Sequence, residues 1–274
     1  MAVNEPDYGK AGRNLPVAIA VGLGLFLTVI SSLFIDDRYF SILAAFGMML
    51  AARELGHTLV VGLSGRMSIL LQILAPAIIA GALIGGPIGL LVTFVASSLT
   101  VLAVRLLDGQ EAYVHHVTRS IFALAYAPLL AGFAVLLAAQ ENGAWKVLAF
   151  VLLTSGTDVG GYAAGAIFGK HPMAPNISPN KSWEGFAGAL ILQLTVGIAL
   201  WVYIFEKPWW QGAVVGFAMM LTATIGDLVE SMIKRDLGIK DMGGLLPGHG
   251  GVMDRMDSLV INAFVAWLLF GFFL

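Results

Sequence analysis

Four polar side chains share one face of an otherwise apolar segment near the C-terminus. Asp227, Glu230, Ser231 and Lys234 fall at i, i+3, i+4 and i+7, so on a helix all four point in one direction. A charged side chain inside a membrane-spanning helix costs roughly 2.5–3.5 kcal/mol on insertion scales and marks a functional site by default. We therefore expect this face to line a polar cavity and not to meet lipid.

A glycine-rich polar segment follows this face. Its six glycines, from Gly238 to Gly251, allow backbone amides to approach an anion without obstruction by Cβ atoms. Its basic side chains, with the two that end the preceding helix, are Lys234, Arg235, Lys240 and Arg255. The carboxylates that could bind Mg²⁺ through hard oxygens beside substrate phosphates are Asp227, Asp254 and Asp257. This combination predicts phosphoryl transfer, in which the protein mainly positions the substrates and neutralises their charge.

Two features of this segment allow more than one interpretation. His249 stands within the glycine run, where it could hydrogen-bond a phosphate or orient a carboxylate, and its role as acid, base or donor stays open. The Lys234-Arg235 pair taken alone is also explained as a topology signal that contacts lipid headgroups.

A second polar segment, 170–185, is rich in turn residues and carries Ser178, Lys181 and Glu184 at intervals of three. Ser178 is predicted to cap the next helix, with Pro179 at its first position and Lys181 at its third. Lys181 has no such structural role, so we expect it to contact a nucleotide or a leaving phosphate.

The sixth apolar run combines glycines with an acidic side chain. Gly161, Gly165 and Gly169 recur every four residues and predict close approach by another helix. Asp158, one turn earlier, is the second carboxylate inside an apolar run and is another candidate substrate contact.

The composition defines the elements that must position these groups. The chain has 274 residues, 58% hydrophobic and 12% charged, with mean hydropathy +0.88, whereas an ordinary globular domain carries roughly 25% charged residues. Several runs approach the roughly 20 residues that span a bilayer. We predict one all-α polytopic membrane domain, 1–274, with a polar tail 1–14, catalytic segments 170–185 and 227–257, and about nine transmembrane helices. The predicted helices are Leu15–Ile35, Tyr39–Leu55, Ser68–Ile84, Ile88–Leu107, Arg119–Ala139, Trp145–Phe168, Phe186–Phe205, Trp209–Val229 and Ser258–Leu274.

Charge distribution and cysteine content constrain the topology and the chemistry. With a cytoplasmic N-terminus, only Arg38, Lys146 and Lys207 of the fifteen Lys and Arg residues fall in outer segments, which fits the positive-inside rule. Both polar segments then lie on the cytoplasmic side. Cysteine is absent, which excludes disulfides and thiolate metal sites.

Within Ser231–Asp257 the sequence resembles the C-terminal motif of the phosphatidate cytidylyltransferase, or CDP-diacylglycerol synthase, family. The matching positions are Ser231, Lys234, Arg235, Lys240, Asp241, Leu246, Pro247, His249, Gly250, Gly251, Asp254, Arg255 and Asp257. Ser178–Gly185, with Asp158 and Tyr162, is similar to that family's second conserved region. Asn180 and Ser182 stand where the family often has Lys and Thr, and both are mild changes.

The resemblance implies that CTP and phosphatidate combine to give CDP-diacylglycerol and pyrophosphate for phospholipid biosynthesis, with Mg²⁺ required and a second cation left open. It implies an enzyme of the cell (inner) membrane that acts at its cytoplasmic face, in contact with membrane lipid and without nucleic acid; a homodimer is left open. The implied catalytic residues are Asp227, Lys234, Arg235, Asp254 and His249. The implied substrate contacts are Asp158, Ser178, Lys181, Glu184, Ser231, Lys240, Asp241, Gly250, Gly251 and Arg255, and the metal ligands are Asp227, Asp254 and Asp257.

Two other functions remain open at the level of sequence. One is a CTP-dependent lipid kinase of the polyprenol type, which could use similar basic segments. The other is a membrane transporter, suggested by Asp158 and Asp227 in glycine-containing helices.

Overall fold

Helices occupy nearly all of the apolar runs. The structure, a computed structural model, describes residues 15–60, 64–245 and 250–274. The predicted tail 1–14 and the candidate His249 therefore lie outside the described residues. The helices are α1 Leu15–Ile35, α2 Asp37–Leu59, α3 Gly65–Arg105, α4 Tyr113–Leu124, α5 Leu130–Ala138, α6 Gly143–Phe168, α7 Trp183–Ala199, α8 Trp209–Asp236 and α9 Asp257–Phe273.

Six stretches of the described residues are long and apolar enough to cross a membrane. They are Asp37–Leu59, Gly65–Asp108, Tyr113–Ala138, Gly143–Phe168, Trp183–Ile204 and Trp209–Asp236. Helix α9 and the Gly22–Ile35 part of α1 are shorter apolar helices. The chain is therefore an all-α polytopic membrane protein, as its composition predicts.

Helix α3 folds back on itself at Gly86, which has the left-handed φ of 60°. A Cβ added to Gly81 would lie 2.7 Å from the carbonyl oxygen of Gly89 and would also meet the side chain of Thr93. Twelve residues of straight helix span about 18 Å, so a contact between Gly81 and Thr93 requires a reversal. The predicted break between Ile84 and Ile88 is confirmed, and α3 contains both predicted helices.

The segment between α6 and α7 forms a small antiparallel hairpin, β1 Pro172–Ala174 and β2 Ser178–Ser182. The prediction that Ser178 caps α7 is wrong. Ser178 begins β2 opposite Ala174, and Ser182 is the cap, because its Oγ accepts a hydrogen bond of 3.1 Å from the Gly185 amide. The strand carries Lys181 toward α8.

Glycines bring α6 and α7 together, as the four-residue repeat predicts. A Cβ on Gly185 would lie 2.7 Å from the Gly161 carbonyl oxygen. A Cβ on Gly165 would lie 3.3 Å from the Ser182 hydroxyl. The close packing places Asp158, one turn before Gly161, beside the start of α7.

A buried polar network joins α6 to α7, α8 and α9 below this region. Asn262 donates to the Thr154 hydroxyl (3.1 Å) and to the Met219 carbonyl (3.0 Å). Gln193 donates to the Thr157 hydroxyl (3.1 Å). Hydrogen bonds between helices fix their relative rotation in an apolar environment, so the network determines which helix faces converge above it.

Both polar segments lie at the same end of the bundle. The Arg235 side chain, in the last turn of α8, donates to the Ile177 carbonyl in the hairpin (3.3 Å). Glu54, near the end of α2, accepts hydrogen bonds from Val252 and Met253, just before α9. Among the described residues, the groups predicted to carry the chemistry are therefore assembled at one end of the bundle.

We expect Gly81→Ala to lower the thermal unfolding midpoint of the purified protein in detergent, because the added methyl group would overlap Gly89 and Thr93. Overpacking of this kind typically costs about 1–3 kcal/mol. The matched control is Gly85→Ala in the same helix, where nothing lies within 4 Å of the added Cβ. Equal midpoints for the two variants, measured by circular dichroism, would contradict the tight reversal.

Candidate active site

A cavity of about 220 Å³ opens between α6, the β-hairpin, α7 and α8. Its charged lining groups are Asp158, Lys181 and Asp227. The remaining lining residues are Thr157, Gly161, Tyr162, Met173, Asn180, Ser182, Gly185, Phe186, Ala189 and Thr224. The cavity therefore lies beside the close contact of α6 and α7, and its lining combines polar groups with apolar side chains.

Lys181 and Asp227 form an ion pair in this cavity. The Lys181 ammonium lies 2.5 Å from Asp227 Oδ2, and about a quarter of each side chain is exposed. Ser231, one turn further along α8, donates to Asp227 Oδ1 at 3.3 Å. Of the predicted polar face of α8, Asp227 lines the cavity, and the two polar segments meet there through a direct charge contact.

Asp257 joins the same region from the start of α9. A Cβ on Gly226 would lie 3.1 Å from the Asp257 carbonyl oxygen and 3.2 Å from Ser258 Cα, so α8 and α9 touch beside Asp227. The carboxylates of Asp158, Asp227 and Asp257 are electrostatic neighbours. Asp257 Oδ1 accepts from the Ser258 amide at 2.6 Å. Asp158 and Asp227 therefore line the cavity, and Asp257 lies close enough to interact electrostatically with both.

Lys234 is held between two carboxylates. It pairs with Glu230, one turn earlier on α8 and fully buried, and with Asp254 Oδ1 at 3.0 Å. Sequence reasoning placed Glu230 on the polar face without giving it a role at the site. The i, i+4 spacing was the available signal. Lys234 is therefore already neutralised by protein groups and does not extend into the cavity as an unpaired cation.

Asp254 organises the glycine-rich segment from within. Its carboxylate accepts the Met242 amide, at 2.9 Å to Oδ2, and the Gly251 amide at 2.8 Å. Only 5% of its side chain is exposed. Gly250 has a left-handed φ of 79°, and a Cβ there would lie 3.0 Å from Asp254 Oδ2. The amide of Gly251, predicted to approach a substrate phosphate, is thus bound to a protein carboxylate.

Glu54 approaches the same segment from α2. Its Oε1 accepts from the Val252 amide (3.0 Å) and its Oε2 from the Met253 amide (2.9 Å). The residue is 5% exposed. Sequence reasoning missed it, and the one signal was an acidic residue in a run of apolar helix.

Glu184 stabilises the hairpin from the start of α7. Its carboxylate accepts the amides of Lys170 (3.1 Å) and His171 (3.2 Å), and lies 2.5 Å from the His171 ring nitrogen Nδ1. These contacts give Glu184 a structural role in this geometry. They set the position of the strand that carries Lys181.

The other predicted contacts lie around this cluster. Lys240 is exposed at the surface of the segment. Asp241 Oδ1 lies 3.6 Å from where a Gly250 Cβ would stand. Arg255 belongs to the 3₁₀ turn Met253–Arg255 and is an electrostatic neighbour of Asp158. Apart from His249, the structure therefore brings the predicted residues of the glycine-rich segment to one end of the bundle.

The predicted metal ligands are near one another without forming a preassembled site. Across 15–60, 64–245 and 250–274, no three Asp, Glu or His side chains converge closely enough to hold a metal ion. Asp227 is paired with Lys181, and Asp254 binds backbone amides and Lys234. The oxygen chemistry of Asp158, Asp227 and Asp257 nevertheless suits a hard cation.

Comparison with known proteins extends over the whole chain. Residues 16–273 match the model of the cytidylyltransferase family. A phosphatidate cytidylyltransferase of Mycobacterium leprae is 39% identical over an alignment of 296 positions, which covers 98% of this chain and 91% of that protein. One of Mycobacterium bovis is 38% identical over 276 residues, 96% of this chain and 90% of its own. One of Staphylococcus saprophyticus is 38% identical over 141 residues, 51% of this chain and 54% of its own.

We expect Asp254→Asn to loosen the glycine-rich segment, because an amide side chain cannot supply two accepting oxygens and loses the charge that pairs with Lys234. Hydrogen bonds to charged groups contribute roughly 1.5–3 kcal/mol, so local opening should become about ten times more frequent or more. Faster trypsin cleavage after Lys240 and Arg255 measures this opening. The control is Asp236→Asn, at an exposed position, and equal cleavage rates for both variants would refute the role of Asp254.

Proposed function

The chain belongs to the cytidylyltransferase family, and we propose that it transfers the cytidylyl group of CTP to phosphatidate, giving CDP-diacylglycerol and pyrophosphate. The family match confirms the resemblance recognised in the motif Ser231–Asp257. The structural observation that carries the proposal is the Lys181–Asp227 ion pair, which joins the polar segments 170–185 and 227–257 in one cavity. The enzyme is accordingly a nucleotidyltransferase of phospholipid biosynthesis.

The walls of the cavity suit a lipid substrate. Tyr162 lines the cavity and is 80% exposed at the outer surface of α6. Phe186 and Ala189 of α7 continue the apolar wall. An amphiphile whose acyl chains stay in the bilayer would reach the charged groups through such a lateral opening, with its phosphate at the polar end.

The proposed reaction is an in-line displacement. An oxygen of the lipid phosphate bonds to the α-phosphorus of CTP as the bond from that phosphorus to the bridging oxygen breaks, and pyrophosphate leaves with the electron pair. The lipid phosphate is largely ionised near neutral pH, because its second pKa is about 6. A general base is therefore not obligatory, and the role of His249 as acid, base or hydrogen-bond donor stays a prediction.

The basic groups divide into three roles. Lys181 lies in the cavity and is the cation best placed to contact phosphate oxygens when it leaves Asp227. Arg235, Lys240 and Arg255 add positive charge at this end of the bundle. Lys234 acts through the carboxylates of Glu230 and Asp254 that already hold it.

The acidic groups suit Mg²⁺ in part. Asp227 and Asp158 line the cavity, and Asp257 interacts with both; their hard oxygens would hold the ion. Bound there, Mg²⁺ would neutralise phosphate charge and fix the triphosphate for displacement. Asp254 is the least suited of the predicted ligands, because backbone amides and Lys234 already engage its oxygens. A second cation stays a prediction.

The proposed topology has a cytoplasmic N-terminus and about nine crossings of the cell membrane, with α3 counted as two and α4–α5 as one. Two facts support it. The two long polar segments, 170–185 and 227–257, meet at one end of the bundle, and CTP would reach that end from the cytoplasm. The concentration of carboxylates at that end also favours an enzyme over a transporter, whose site is expected near the midplane.

Labelled CTP tests the reaction. We expect purified protein with Mg²⁺ and phosphatidate to transfer radioactivity from [α-³²P]CTP into lipid and to release the label of [γ-³²P]CTP as pyrophosphate. Entry of the γ label into lipid would establish a lipid kinase and overturn the proposal. Absence of either transfer would also overturn it.

Substitution of Asp227 tests the site. Asp227→Asn should lower turnover by about 100-fold or more, the scale on which a lost electrostatic contact to a transition state acts. The reason is that the change removes both the partner of Lys181 and a proposed Mg²⁺ ligand. Asp236→Asn, at the exposed end of the same helix, is the control in initial-rate assays at saturating CTP. Near-normal turnover by Asp227→Asn would contradict the assignment.

A further inference from the structure

Glu54 is a buried acidic residue on a helix that contributes nothing to the cavity itself. It lies near the end of α2 and is 5% exposed. Both its oxygens accept backbone hydrogen bonds, from Val252 and Met253, which lie 198 and 199 residues further along the chain. A buried carboxylate is costly unless its hydrogen bonds are satisfied, so these contacts are what stabilise it.

The two amides belong to a run of three. The successive N–H groups of Gly251, Val252 and Met253 all point at carboxylates, the first at Asp254 and the other two at Glu54. Successive amides oriented in this way form an anion-binding concavity. Here two side chains of the protein fill it, and it leads directly into the 3₁₀ turn Met253–Arg255.

Two glycines of the glycine-rich segment make room for Glu54. A Cβ on Gly251 would lie 2.6 Å from Glu54 Oε2. At Gly243 the three atoms that an added Cβ would meet first all belong to the Glu54 side chain. Neither glycine has a positive φ. Their lack of a side chain is therefore explained by the closeness of this carboxylate and not by backbone conformation.

The position of Glu54 determines the positions of groups at the cavity. The amides that it binds immediately precede Asp254, which holds Lys234, and they lie four and five residues before Asp257, whose backbone touches α8 at Gly226. A shift of Val252 and Met253 would therefore displace both aspartates. We propose that Glu54 is a positioning residue for the cytidylyl transfer, a role that rests on the function proposed above: it binds the signature segment 241–257 from α2 and fixes Asp254 and Asp257 relative to α8.

The first test is Glu54→Gln, which keeps the shape of the side chain but replaces one accepting oxygen with an NH₂ group. Hydrogen bonds to charged acceptors are strong enough that we expect kcat to fall roughly ten- to a hundredfold, with the KM for CTP changed less. Hydrogen exchange should accelerate at residues 250–257 and stay unchanged in α6 and α7. The control is Glu111→Gln, at an exposed position, which should retain wild-type kcat and exchange.

A double-mutant cycle separates positioning from general destabilisation. Gly243→Ala should lower kcat about tenfold in the wild-type background, because its methyl group would displace the Glu54 carboxylate. In the Glu54→Ala background that methyl group has space, so the same change should alter kcat less than about twofold. This comparison does not require Glu54→Gln to fold well.

The outcomes are distinguishable from failure of the proposed function. If wild-type protein makes no CDP-diacylglycerol, the function is wrong, and the exchange data still report whether Glu54 binds the segment. If wild type is active, the proposal is overturned by normal kcat in Glu54→Gln, by faster exchange spread evenly over all helices, or by additive effects in the cycle.

Discussion

The binding of backbone amides by buried carboxylates is the interaction on which the rest of the site depends. The described parts of the signature segment, 241–245 and 250–257, are mostly neither helix nor strand, yet they pack against helices at the end of a membrane bundle. Buried N–H groups there need acceptors. Asp254 accepts from Met242 and Gly251, and Glu54 accepts from Val252 and Met253. Asp254 belongs to the segment and Glu54 belongs to α2. The same kind of contact therefore both folds the segment and attaches it to the bundle.

Basic and acidic side chains are also already paired with one another at this end of the bundle. Lys181 pairs with Asp227, and Lys234 with Glu230 and Asp254. An incoming polyphosphate must compete with Asp227 for Lys181, and success in that competition leaves a carboxylate oxygen available to a cation. Entry of an anionic substrate and of a divalent cation would then favour each other. Phosphate bound to Lys181 would leave Asp227 available to the cation, and a cation bound to Asp227 would leave Lys181 available to phosphate.

The sequence predicts the helices well and the loop contacts poorly. Apolar runs predict the helix positions, including the reversal at Gly86, because spanning length and glycine-proline punctuation are local properties. The sequence predicts Ser178 as the cap of α7, whereas Ser182 is the cap. Both are serines that precede the same helix by a few residues, so the local pattern does not distinguish them. Glu54 could not be found from spacing, because its partners lie 198 and 199 residues away and are main-chain amides that every residue possesses.

The glycines of the signature segment illustrate why composition leaves the ligand undecided. A glycine-rich run allows amides to approach any anion, and the sequence alone favours a substrate phosphate. In the folded chain the amide of Gly251 is bound by Asp254, and Gly243 and Gly251 both leave space for the Glu54 carboxylate. In the proposed reaction, substrate phosphates are then left to side-chain cations such as Lys181. The filled amide concavity would supply rigidity and the Lys181–Asp227 ion pair would supply binding, so these two tasks would fall to different residues.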